Sequence, residues 1–175
     1  LVADGSLDVA RFSSVRLGQW LDASAELQGR GKGRAFGVAV TGGSVDIRGL
    51  PPRHGQGGEA NGAPIALALD RLTIADGLSL TGFRSSIVPR GDGVAGEFTG
   101  RVNGQIGVKG SLTPSANGTS VRLRSDDAGA VFSAANIFPN AQGGTMELIL
   151  LPTEAAGSYD GDLTMHDIRI RKAPA

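Results

Sequence analysis

The chain has no cysteine, only one tryptophan and one tyrosine, two histidines, and no surplus of either charge. Without cysteine there is no disulfide framework, no thiolate metal site and no cysteine nucleophile. Seventeen basic and seventeen acidic residues are interspersed along the 175 positions. That balance provides neither the basic footprint of a nucleic-acid binder nor an acidic tail, so no nucleic-acid partner is expected. No apolar run reaches the roughly 18 residues of a transmembrane helix; the longest candidate, around Met146 to Leu151, is strand-sized. No secretory signal is recognisable. The chain opens at Leu1 without a Met and stops at Ala175, as expected of a fragment of a larger protein.

Glycine is the residue in excess, with 28 copies, about twice its usual share. There is no collagen-like period and no long polar tract, so the glycines predict many tight turns and therefore many short strands. The hydrophobic pattern agrees: Val15 and Leu17; Ala23, Ala25 and Leu27; Phe36, Val38 and Val40; Val45 and Ile47; Ile65, Leu67 and Leu69; Leu78 and Leu80; Phe98 and Val102; Ile106 and Val108; Met146, Leu148 and Leu150 all alternate. Gly42-Gly43 reads as a turn, and Gly29 to Arg34 as a basic, flexible tip. Asp76-Gly77, Asp92-Gly93, Asn103-Gly104 and Asn117-Gly118 are dipeptides favoured where both central residues take positive φ. They predict hairpins and a sheet that is antiparallel throughout. Residues 51–64, PPRHGQGGEANGAP, read as an exposed Gly/Pro-rich loop that could divide two halves. One helix is expected, over residues 126–138: Ser125 suits the N-cap, Asp126 and Asp127 the first turn, Val131, Phe132, Ala135 and Phe138 the apolar stripe, and Pro139 the stop.

Convergent polar chemistry is scarce. Gly91, Gly93 and Gly96 match G-x-G-x-x-G, but alternation continues through Val102 where a dinucleotide site needs a helix start. Asp126 and Asp127 diverge around a helix, and both complement its N-terminal dipole. His166 and Asp167, adjacent on a strand, point to opposite faces, which makes a solvated histidine the simpler reading. His54, in the loop with Arg53 and Glu59, supplies one metal ligand where a site needs several. Asn117-Gly118-Thr119 is formally a glycosylation sequon and is better read as a turn. The cations Arg30 to Arg34, with Arg169, Arg171 and Lys172, could meet anionic headgroups, but solvated loops and edge protection are the simpler reading. Trp20 and Tyr159 are expected in the core with satisfied polar tips. No catalytic residue, metal or cofactor is expected.

The phrases RLRSDDAGAVFSAANIF, QGGTMEL and YDGDLTMHDIRIRKAPA, and upstream LGQWLDASAELQGRG, VTGGSVDIRGLP and IALALDRLTIADGLSLTGF, resemble the AsmA-like bacterial family, which includes TamB-like and YhdP-like members. The resemblance covers nearly the whole chain and is densest from Leu123 to Pro174. In relatives the chain runs on past a KAPA-like end into an apolar amphipathic helix. The resemblance implies a β-rich periplasmic body, anchored in the inner membrane by segments outside this chain. It also implies a long, curved, taco-like antiparallel sheet whose apolar groove guides phospholipid acyl chains between inner and outer membrane, serving outer-membrane homeostasis. It carries over no functional residue.

The residues point the same way on their own: alternation makes one face apolar, and one short helix leaves much of that face uncovered. Candidate groove residues are Leu67, Leu69, Leu78, Leu80, Phe98, Val102, Ile106, Val108, Leu148 and Leu150, with Phe132 and Phe138 on the helix. A bulge or a one-residue slip would exchange the faces. The alternative is a structural or protein-interaction module, a self-closed sandwich or solenoid section made from the two halves flanking residues 51–64. An enzyme would require a pocket gathering His54, His166 or Asp126.

Overall fold

The computed structural model describes residues 8–50, 62–91, 93–155 and 157–171. Most of the 51–64 loop, with Arg53, His54 and Glu59, lies outside them, as do Asp92 and Lys172. The elements are β1 (Val9–Leu17), β2 (Leu21–Gln28), β3 (Gly37–Asp46), a single 3-10 turn (Ile47–Gly49), β4 (Ile65–Ala75), β5 (Leu78–Arg90), β6 (Gly93–Val102) and β7 (Ile106–Ser115). They continue with β8 (Gly118–Ser125), α1 (Ala128–Ala134), β9 (Ala141–Gln142), β10 (Thr145–Pro152), β11 (Tyr159–His166) and β12 (Arg169–Ile170). Ten strands form one open sheet in the order β1-β2-β3-β4-β5-β6-β7-β8-β10-β11, and β9 and β12 make a separate two-stranded ribbon.

The fold is mainly β with one short helix near the C-terminal end, as expected, but the sheet is mixed rather than antiparallel throughout. β3 and β4 run parallel, Val38 opposite Ile65 and Val45 opposite Leu72. A hairpin cannot join parallel strands, and the connection here, residues 47–64, is long enough to carry the chain back to the starting edge. The two halves flanking the loop therefore belong to one sheet.

Asp76-Gly77 and Asn103-Gly104 do turn hairpins, β4 to β5 and β6 to β7. Asn103 takes φ +45° and uses its side chain as a junction. Its Oδ1 accepts from the Ser79 amide at 2.8 Å, and its Nδ2 donates to the carbonyls of Gly77 at 2.7 Å and Ala134 at 2.8 Å. Asn117-Gly118 is shifted by one residue: Ser115 pairs with Gly118, so Ala116 and Asn117 form the turn and Gly118 begins β8.

Gly42-Gly43 is not a turn but a bulge inside β3. Ala25 faces Val40 and Ser24 faces Gly42, which leaves Thr41 as the extra residue. Gly43 has φ +93°, a Cβ there would lie 2.1 Å from the Asp22 carbonyl oxygen, and its amide donates to Asp70 Oδ2 at 2.8 Å. Only glycine fits that backbone. β5 has an equivalent insertion, with Gly82 and Phe83 opposite the single residue Gly100. From Ile65 to Thr73 β4 stays in register with both neighbours, so it shares the insertion at this level. As a result Leu80 and Phe83, three residues apart, join the same apolar cluster, as do Leu69 and Leu72.

α1 is shorter than expected. Its N-cap is Asp127, which accepts from the Ala130 amide at 2.9 Å. Ser125 stands two residues back, accepting from the Asp127 amide and donating to the Gly107 carbonyl, both at 3.3 Å. The helix ends before Pro139 because Asn136 takes φ +57°. The Asn136 amide then bonds the Ser133 carbonyl at 3.0 Å and the Ile137 amide bonds the Phe132 carbonyl at 2.9 Å, a left-handed cap that satisfies the final turn. Phe138 therefore lies beyond the helix, half exposed, with its ring 5.8 Å from that of Phe132. Tyr159 is also exposed rather than in the core, because β11 is the last strand of the sheet.

Candidate functional site

Register places the side chains in rows across the sheet. One row runs Leu163, Leu148, Leu123, Gly110, Phe98, Ser85, Leu67, Val40, Ala25, Phe12, from β11 to β1. The next runs Gly161, Leu150, Val121, Leu112, Gly96, Ile87, Ile65, Val38, Leu27, Ala10. Neither row contains a charge. Ser85 is their one polar side chain, and its hydroxyl donates to the Glu97 carbonyl at 2.8 Å. Toward the helix, a third row joins Ile106, Val102, Leu80, Leu72, Val45, Leu21 and Leu17. The opposite face reads Asp162, Ile149, Arg122, Ser111, Glu97, Ser86, Ala66, Ala39, Glu26, Arg11. The sheet is therefore two-faced across all ten strands.

The twelve candidate residues divide by depth. Leu69, Leu80, Phe98, Val102 and Val108 on the sheet and Phe132 on α1 are buried and belong to one apolar core cluster. Leu67, Leu78, Ile106, Leu148 and Leu150 are half-buried on the same face. Phe138 is exposed at the mouth of the post-helix turn. Register adds residues that were not among the groove candidates: Ile65, Ile87, Leu112, Val121 and Leu123 occupy the same rows and are likewise half-buried. Their alternation was visible, but a row is defined only when neighbouring strands are aligned.

Among the described residues only Leu69, at 1% exposure, is a large side chain fully removed from solvent. Neighbours along each row shield one another laterally, while α1 and the β9–β12 ribbon lie against the strand ends near Val108 and Met146. A face of this extent without charges is the kind of surface that binds apolar ligands or partners.

Among the described residues, His166 and Asp126 are not brought together. His166 is exposed on the edge strand β11, and Asp126 is exposed before the helix. Among the described residues no group of three or more His, Asp or Glu side chains could hold a metal ion, and no helix is long and apolar enough to cross a membrane.

The polar face is knit by ion pairs. Arg124 Nε donates to Glu147 Oε1 at 2.5 Å, and Arg122 Nε lies 3.5 Å from the same oxygen. The hydrogen bond from Arg124, reinforced by the charges of both arginines, holds the Glu147 carboxyl below the usual glutamate value despite some desolvation. A depressed folded-state value means that the pair stabilises the fold above the unfolded glutamate pKa, about 4.3. This contribution is lost as pH falls through the lower folded value. Carboxyl NMR titration is expected to give a Glu147 midpoint below that of an unstructured glutamate, and Arg124→Gln is expected to move it upward.

Comparison of the chain with family models, curated proteins and solved structures finds no match.

Proposed function

We propose that this chain is a groove segment of a bridge-like carrier that moves phospholipids between the inner and outer membranes, in an AsmA-like protein whose membrane anchor lies outside it. The working compartment is the periplasm, the partner is the acyl chain, and the role involves no catalysis. The observation that supports this reading is the pair of uncharged rows running from β1 to β11, most of whose members are half-buried and which no second sheet covers among the described residues. Each CH₂ removed from water contributes about 0.8 kcal/mol, so a 16-carbon chain crossing an aqueous gap faces on the order of 12 kcal/mol. An unbroken apolar lane removes that barrier, and a lane of Leu, Val, Ile and Gly needs no reactive group.

The open edges favour a second reading, a protein-interaction module. β1 and β11 each leave one side of the backbone unpaired within the sheet, and Phe12, Leu163 and Met165 are exposed there. Unpaired edges accept a further strand.

Native mass spectrometry of protein purified from cells, combined with a photo-crosslinking residue at Leu148 or Leu150, tests the carrier reading. Co-purified phospholipid and crosslinks to acyl chains are expected from those sites and not from Ala39 on the opposite face. Absence of lipid, or crosslinks only to protein through β1 and β11, would replace it with the second reading.

A further inference from the structure

The polar face contains an arrangement that balanced composition conceals. In register, Arg84 faces Thr99, Thr99 faces Lys109, and Lys109 faces Arg124. Two cations thus sit directly opposite each other on neighbouring strands, an arrangement that destabilises a sheet. Arg122, two residues from Arg124 on β8, belongs to the same face. These side chains border a depression of about 740 Å³ that Ala66 and Ala68 also line, and among the described residues Glu97 is the only carboxylate lining it. A smaller neighbouring depression of about 380 Å³ shares Thr99, Lys109 and Arg124 and adds Arg101 and Asp126.

Neutralisation of these cations is incomplete. Glu147 serves both Arg122 and Arg124. Arg84 donates to the carbonyls of Leu69 and Phe83, and Arg101 to those of Gly104 and Gln105, bonds that orient a guanidinium without cancelling its charge. Among the described residues Arg84, Arg101 and Lys109 form no ion pair.

We propose that this depression binds a phosphate group, with Lys109 and Arg124 contacting its oxygens and Arg84 and Arg122 flanking them. A phosphate offers several acceptor oxygens at once and suits a mixture of a point-charge ammonium and forked guanidiniums. The small alanine side chains leave room for the organic part that carries the phosphate. Its cationic side chains lie on the face opposite the apolar rows. The phosphate can come from a soluble phosphoester or from a membrane headgroup.

The test is NMR titration of the full chain with inorganic phosphate and with glycerol phosphate, against chloride at matched ionic strength, alongside flotation with phosphatidylglycerol and phosphatidylcholine vesicles. Saturable shifts at the Thr99, Lys109 and Ser111 amides are expected, weakened at least tenfold in Lys109→Gln and unchanged in Arg16→Gln. Because Lys109→Gln removes a like-charge pair, it is expected to keep or raise Tm in phosphate-free buffer while losing the response, a combination that a purely structural lysine would not give. Response to the soluble ligands alone identifies a phosphoester source; phosphatidylglycerol binding that Lys109→Gln abolishes identifies a headgroup source. Non-saturating shifts, or equal responses in wild type and Lys109→Gln together with no variant-sensitive vesicle binding, would overturn the proposal.

Discussion

Phe98→Ala is expected to lower the unfolding free energy by about 3–5 kcal/mol, the range for truncating a buried phenylalanine. Phe98 is 6% exposed at the centre of the first apolar row. Its ring stacks on Phe83 with centroids 5.9 Å apart. It also covers the bare backbone of Gly110 on the next strand, where an added Cβ would lie 2.3 Å from Phe98 Cζ. Truncation opens a cavity that neither neighbour can fill, because Gly110 has no side chain and Phe83 is held by the bulge at Gly82. Urea titration of the variant measures the loss. A change below about 1 kcal/mol would mean that the ring lies on an open face rather than in a packed core.

Gly129→Ala should also destabilise the protein, although alanine normally favours a helix over glycine by about 1 kcal/mol. The obstacle is backbone: a Cβ at Gly129 would lie 2.3 Å from both N and Cα of Gln142 in β9. A side-chain end could rotate away, but this neighbour cannot. The same interface satisfies the start of the helix, since the Ala128 and Gly129 amides donate to the carbonyls of Gly144 at 2.8 Å and Gly143 at 2.9 Å. Pushing the helix off the ribbon breaks both bonds and loosens Phe132 over the core. Overpacking of this kind costs about 1–3 kcal/mol after relaxation. Hydrogen exchange at Ala141, Gln142 and Ile170 should accelerate in step with a lower Tm. Unchanged exchange would mean that α1 and the ribbon are not docked.

Much of the fold was legible because alternation is local. Residues such as Leu148 and Leu150, or Ile106 and Val108, advertise a half-buried strand without reference to anything distant. The hairpins at Asp76-Gly77 and Asn103-Gly104 were equally legible, since positive φ is paid for within the turn itself. Asn136 was harder to see: asparagine is a weaker helix stop than Pro139, and the cap that makes it one depends on amide bonds back to Ser133 and Phe132. Gly42-Gly43 misread as a turn for a related reason, because the feature that distinguishes a bulge from a turn is the Asp22 and Asp70 backbone and carboxylate beside it.

The groove candidates were found only in part. Ile87 and Leu112 alternate as well as Leu67 does, yet their place in an unbroken row depends on the alignment of β5, β6 and β7. The like-charge pair of Lys109 and Arg124 is invisible along the chain for the same reason.

By itself, then, the amino-acid order determined that there would be many short strands with one apolar and one polar side, a few tight hairpins and one brief helix. These are properties of neighbours along the chain, where side-chain period and turn chemistry act within a few residues. Only the tertiary structure decided that β3 and β4 run parallel, that an extra residue crosses β3, β4 and β5 at one level, and that the apolar positions merge into rows spanning ten strands. Register is set by loop length and bulges acting between strands, and a shift of one residue would send every side chain of a strand to the other face.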